Sequence, residues 1–232
     1  MEEFMTGAFW LAVGQIIMID ILLGGDNAVV IALACRNLPE KQRKQGIIYG
    51  TIGAIVLRVI LIAFALALLA IPYLKIVGAA LLLYIGIQLL MPESDEQHNI
   101  NPSDKLWGAV KTVIVADLVM SVDNVIAIAG AAQGAGQQHQ LPLVIFGLLV
   151  SIPIIVWGSQ IVLKLMERFP FIITLGAMLL GWIAGQMAYT DIALQGIRPE
   201  GKVWEYASAA FGAALVFVIG QFLQRRAQKT TL

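Results

Sequence analysis

The chain has 232 residues, 59% of them hydrophobic and 13% charged, at a mean hydropathy of +0.84. A soluble domain carries about 25% charged residues, so this composition excludes one and predicts an integral membrane protein. Fifteen basic and fifteen acidic residues cancel, leaving no global field for nucleic acid, and the single cysteine, Cys35, excludes an intrachain disulfide and a thiolate metal cluster.

The first predicted span, residues 8–35, follows Glu2 and Glu3 rather than a basic segment, which marks it as a retained helix and not a signal peptide. It carries the phrase DILLGGDNAVVIALA from Asp20 to Ala34. The polar run RNLPEKQRK (36–44) leads to a second span at 46–70, which contains Arg58, and Pro72 opens a third at 72–91. After PESDEQHNINPSDK (92–105) comes a fourth, 107–131, with a near-copy of the first phrase, DLVMSVDNVIAIAGA, from Asp117 to Ala131. Spans at 141–165, 170–190 and 205–224 bring the number to seven. Each has about 20 apolar residues, enough to cross the bilayer as a helix. Eleven basic residues, among them Arg36, Arg43, Lys105, Arg168 and Arg225, fall on one set of alternate loops, and three, Lys75, Arg198 and Lys202, on the other. The positive-inside rule then predicts a multi-pass plasma-membrane protein with its N-terminus outside and its C-terminus in the cytoplasm.

A shift of 97 residues lays Asp117 on Asp20, Asp123 on Asp26, Asn124 on Asn27 and Gly147 on Gly50; a shift of 98 lays Gly176 on Gly78 and Gln186 on Gln88. Each half has an odd number of spans, so the second must enter the membrane from the opposite side. The expected fold class is therefore all-α and integral to the membrane. Two inverted three-helix repeats, at 1–92 and 104–190, are followed by a seventh helix and cytoplasmic tail at 203–232. In secondary transporters of this design the coupling site lies at the midplane, where the repeats meet.

The four aspartates fall at mirrored depths of the first and fourth spans. Each carboxylate at the bilayer centre costs roughly 2.5–3.5 kcal/mol, so something must compensate, and a bound cation does so directly. Oxygen donors of this kind suit a hard divalent ion, Mn²⁺, Ca²⁺ or Mg²⁺. Protons compete with metal for such carboxylates, which makes proton exchange one available driving force. Residues six apart on a helix lie about 120° from one another, so Asp20 and Asp26 are expected to share a ligand only if the helix breaks. Gly24 and Gly25 are the expected break, freeing backbone carbonyls as ligands, with a milder one at Ser121. Arg58 has Ile155 as its counterpart and breaks the symmetry. It is expected either to snorkel or form a static pair with a carboxylate, or to act in gating, neutralising the site between ions.

The doubled D-x5-D-N motif at 20–27 and 117–124, with GTIGAIVLR (Gly50 to Arg58) and SIPIIVWGS (Ser151 to Ser159), resembles the TerC family of membrane proteins. Within that family it is similar to the short YjbE-type metal transport proteins, from about residue 8 to residue 190. The resemblance implies a LysE-like seven-span fold and export of divalent metal, chiefly Mn²⁺, from the cytoplasm, with the ion as bound substrate and no organic cofactor. It carries the metal-ligand role to Asp20, Asp26, Asn27, Asp117, Asp123 and Asn124. Two alternatives stay open: a LysE-like exporter of an amino acid or other small solute, and a membrane partner that delivers metal to secreted proteins or a secretion machinery. A homodimer stays open too. No nucleophile–base constellation or cofactor motif points to an enzyme.

Overall fold

In a bilayer every backbone N–H and C=O must find its partner within the chain, which an apolar run of this length does as a helix. The computed structural model describes residues 7–69, 71–91, 101–133 and 140–230. Within these, side chains at 7–13, 16, 19–24, 63, 65–69, 102, 123, 125–133, 140–144 and 227–230 lie outside the description. The described residues form α1 (Gly7–Cys35), α2 (Glu40–Leu69), α3 (Leu74–Leu90), α4 (Pro102–Gln133), α5 (Gln140–Arg168), α6 (Phe171–Tyr189) and α7 (Lys202–Thr230), with a 3-10 turn at Ile192–Leu194. Each predicted span is one of these helices. α2 begins at Glu40 rather than 46 because the polar run EKQRKQ continues the helix beyond its apolar part.

Among the described residues, four helices are long and apolar enough to cross a membrane, over Glu40–Ile62, Ile145–Arg168, Phe171–Tyr189 and Lys202–Arg226. The apolar stretches Gly25–Cys35 of α1 and Leu74–Leu90 of α3 are shorter. Val56, Phe64, Trp157, Phe211 and Val218 are each more than half exposed, an outward apolar surface suited to lipid rather than water.

The helix break expected from the sequence is not there. α1 is helical without interruption through Gly24 and Gly25, and α4 through Ser121. A glycine costs a helix about 1 kcal/mol relative to alanine. Unpaired backbone groups in an apolar medium cost several kcal/mol each, so the helix runs on.

The helices form two groups. In the first, α2 packs along α4 and α1 along α5, with α1 against α4 between them. In the second, α6 lies between α3 and α7. The groups join mainly where α3 meets α4 and α6 meets α1. α2 and α4 run parallel and approach closely: a Cβ on Gly50 would sit 2.9 Å from Val113 Cγ1, and one on Gly53 would sit 2.5 Å from Ile114 Cδ1. Leu33, Ile47 and Val113 fill the interior of the first group, while Leu82 and Leu180 fill the contact of α3 with α6. α7 is held to α6 by close approach of Gly181 and Gly185 to the carbonyls of Gly212 and Ser208. The Ser208 hydroxyl donates to the Gly185 carbonyl across that seam, at 2.8 Å.

Candidate functional site

A guanidinium in mid-helix among apolar neighbours must be paired or reach water. Arg58, near the middle of α2, is 2% exposed and paired. Its Nη2 lies 2.6 Å from Asp117 Oδ1 on α4, and its Nε donates to Ser121 Oγ at 3.1 Å. Ser121 donates its own hydroxyl to Asp117 Oδ2 at 3.0 Å, closing the ring. Asp117 and Ser121 are four residues apart, so both project onto the face of α4 that meets α2. The glycine approach at Gly50 and Gly53 brings the two helices near enough for the ring to form. Both acidic and hydroxyl members are buried, and removing any one charge would strand its partner in a low-dielectric interior.

The first motif has different surroundings. Asp26, half-buried on α1, accepts the N–H of Asn27 at 2.8 Å. The charges of Arg58 and Asp117 both act on its carboxylate at long range. Asn27 is 4% exposed, and neither atom of its amide has a hydrogen-bond partner among the described residues. An unpaired buried amide costs on the order of 1–3 kcal/mol, which a ligand there would offset.

The structure therefore joins Arg58, Asp117 and Ser121 by direct contact, and leaves Asp26 and Asn27 as a separate pair on α1 that feels the charges of Arg58 and Asp117. Asn124 is half-buried further along α4, and a Cβ on Gly25 would meet nothing within 4 Å. The side chains of Asp20 and Asp123 lie outside the described residues, and of Gly24 only the helical backbone is described. Among the described residues no three His, Cys, Asp or Glu gather as a metal cluster. Two carboxylates, an amide oxygen with no partner among the described residues and a hydroxyl are nonetheless donors of the kind a hard divalent cation takes, and Arg58 holds one of them in competition.

Asp191, just after α6, escaped the sequence reading. It is completely buried and accepts four backbone N–H groups: Tyr73 at 3.0 Å, Lys75 at 2.9 Å, Ile76 at 3.2 Å and Ala193 at 2.7 Å. It caps α3, whose own N-cap residue Tyr73 is left-handed (φ 66°) and makes no side-chain capping bond. Burial pushes the Asp191 carboxyl up, but the N–H groups of Ala193, Tyr73, Ile76 and Lys75 outweigh it and hold its pKa below the ordinary value. An aspartate opening a short turn is a local signal of capping. Nothing local says that the helix it caps lies some 116 residues upstream.

The sequence pattern of the integral membrane protein TerC family matches residues 5–229. The uncharacterized membrane protein YjbE of Bacillus subtilis (strain 168) is 48% identical over 176 residues, 76% of this chain and 78% of its own length. YceF of the same organism, also an uncharacterized membrane protein, is 26% identical over 216 residues, 89% of this chain and 81% of its own. The UPF0053 protein YegH of Escherichia coli (strain K12) is 24% identical over 194 residues, 75% of this chain and 36% of its own. No solved structure matches.

Proposed function

The chain belongs to the TerC family of integral membrane proteins, and from that premise we propose that it exports a divalent metal ion, Mn²⁺ before Ca²⁺ or Mg²⁺, from the cytoplasm. The observation that carries this is the buried Arg58–Asp117 pair, whose charges act on Asp26 of the other motif, beside which the buried Asn27 amide has no partner among the described residues. A structural ion pair would need neither the second carboxylate nor an amide without a partner among the described residues. A cation arriving at Asp26 and Asn27 draws Asp117 from Arg58, whose guanidinium stays anchored through Nε to Ser121. When the ion leaves, Arg58 returns to Asp117, so the buried carboxylate is never left uncompensated. Asp20, Asp123 and Asn124 complete the oxygen shell in this proposal, since a divalent ion of this class takes about six to eight donors.

Helix pairing supports an inverted repeat around that centre. Exchanging the halves turns α1 on α5 into α4 on α2 and leaves α1 on α4 and α3 on α6 unchanged; α7 apart, these are the most extensively packed pairs. With the N-terminus outside, α2 and α4 both run outward, in keeping with their parallel packing. The test is Mn²⁺ flux in proteoliposomes. Wild type should move the ion and Asp117→Asn should not. Flux of an amino acid without metal dependence would favour a LysE-like solute exporter, and tight Mn²⁺ binding without flux would favour a metal-delivery partner.

A further inference from the structure

On the cytoplasmic half, as oriented above, α2 and α5 part around a cavity of about 420 Å³. Arg43 and Glu167 line it and form an ion pair at 2.5 Å, joining the start of α2 to the end of α5. Ile47 and Leu163 also line it and belong at the same time to the buried core of the four-helix group, so they mark its inner end. One turn further along α2 is Thr51. It is 1% exposed, and its hydroxyl has no hydrogen-bond partner among the described residues.

Among the described residues the buried serine hydroxyls of Ser121, Ser151 and Ser159 all find partners, and that of Thr51 does not. A Ser or Thr in a helix can bond the carbonyl four residues back, and Thr112, Ser151 and Ser159 do so on Gly108, Gly147 and Ile155 at 3.0, 3.1 and 2.8 Å. Thr51 does not. Ile47, Thr51 and Arg58, at i, i+4 and i+11, lie within about 40° of one another around α2, a single stripe running from the cavity to the Arg58–Asp117 pair. The residue 97 positions on, Leu148, is equally buried, so the polar step exists on this half alone.

We propose that Thr51 is a way-station for the ion between the α2–α5 cavity and Asp117: its unpartnered hydroxyl oxygen ligates the cation in passage, while the Arg43–Glu167 pair closes the mouth. This rests on the divalent-cation reading of the central site. A transient ligand lowers the barrier to passage without setting the affinity of the site beyond it. Thr51→Val keeps the side chain's shape and removes the oxygen. It should slow Mn²⁺ flux in proteoliposomes about ten- to a hundredfold, the range for losing one bond to a charged group. Equilibrium Mn²⁺ affinity should not change, and Thr51→Ser should transport close to wild type. A protein carrying Thr51→Cys together with Cys35→Ser should react with a thiol reagent from the cytoplasmic side and be protected by Mn²⁺. Wild-type flux in Thr51→Val, lost affinity in that variant, or no reaction of the Thr51→Cys protein with the reagent would each overturn the way-station. If Asp117→Asn fails to transport, those results leave the central site standing. Wild-type flux in Asp117→Asn would instead overturn the central site itself.

Discussion

In α4, Asp117 is held on both oxygens, by Arg58 and by Ser121. In α1, among the described residues, Asp26 accepts the N–H next to it and the Asn27 amide has no partner. One difference between the near-identical phrases and one between the halves that carry them produce this contrast. Ser121 stands where the first copy has Gly24, and Arg58 stands where the other half has Ile155, a buried core residue. Two near-identical phrases thus carry unequal chemistry: one holds a compensated charge, and the other, among the described residues, a buried amide with no partner. The departures from the repeated sequence decide which carboxylate is occupied by a guanidinium.

The largest effects should come from the compensated copy. Removing one member of a buried pair costs about 3–5 kcal/mol. Arg58→Met should destabilise the detergent-solubilised protein by about that much, and Mn²⁺ should restore part of the loss by neutralising Asp117 in its place. Asp117→Asn should cost a similar amount, because it strands Arg58, and should gain nothing from Mn²⁺. Thermal unfolding with and without the metal distinguishes them, and equal metal responses would break the contrast. Ser121→Ala makes the second copy more like the first. It removes a hydrogen bond from each charged partner and should cost about 1–3 kcal/mol, read from the same melts.

Asp191 lies outside both motifs and serves as the control. Asp191→Ala should cost about 1–2 kcal/mol through the lost cap of α3, with Mn²⁺ binding retained. Its native pKa is depressed, so its contribution is present above the unfolded carboxylate value, about 3.9, and is lost as pH falls through the native value. The melting difference between wild type and Asp191→Ala should therefore narrow on acidification below about pH 4. The smallest effect on stability belongs to the uncompensated copy. Asn27→Leu replaces an amide with no partner, so it should leave stability within about 1 kcal/mol of wild type or raise it, while Mn²⁺ flux is lost. A strongly destabilised Asn27→Leu would mean that the amide is structural.

Hydropathy alone placed each helix within a few residues, because in lipid an apolar run has little alternative to helix. Helix ends were less legible: EKQRKQ and the basic tail extend α2 and α7 beyond their apolar parts, where no bilayer signal applies. The expected break at Gly24–Gly25 failed because propensity is a weak local term beside the cost of unpaired backbone. That Arg58 must either snorkel or meet a carboxylate was legible from its place in an apolar span. That it meets Asp117 was not, since the choice depends on how Gly50 and Gly53 set α2 against α4. The role of Asp191 depends likewise on the meeting of two distant segments.

Equilibrium Mn²⁺ binding to purified Asp26→Asn, Asp117→Asn and the double variant asks most directly whether the two motifs make one site. A shared ion requires that each single substitution remove high-affinity binding and that the double variant be no worse than either. A protein neutralised in one motif that still binds one ion with wild-type affinity would contradict it.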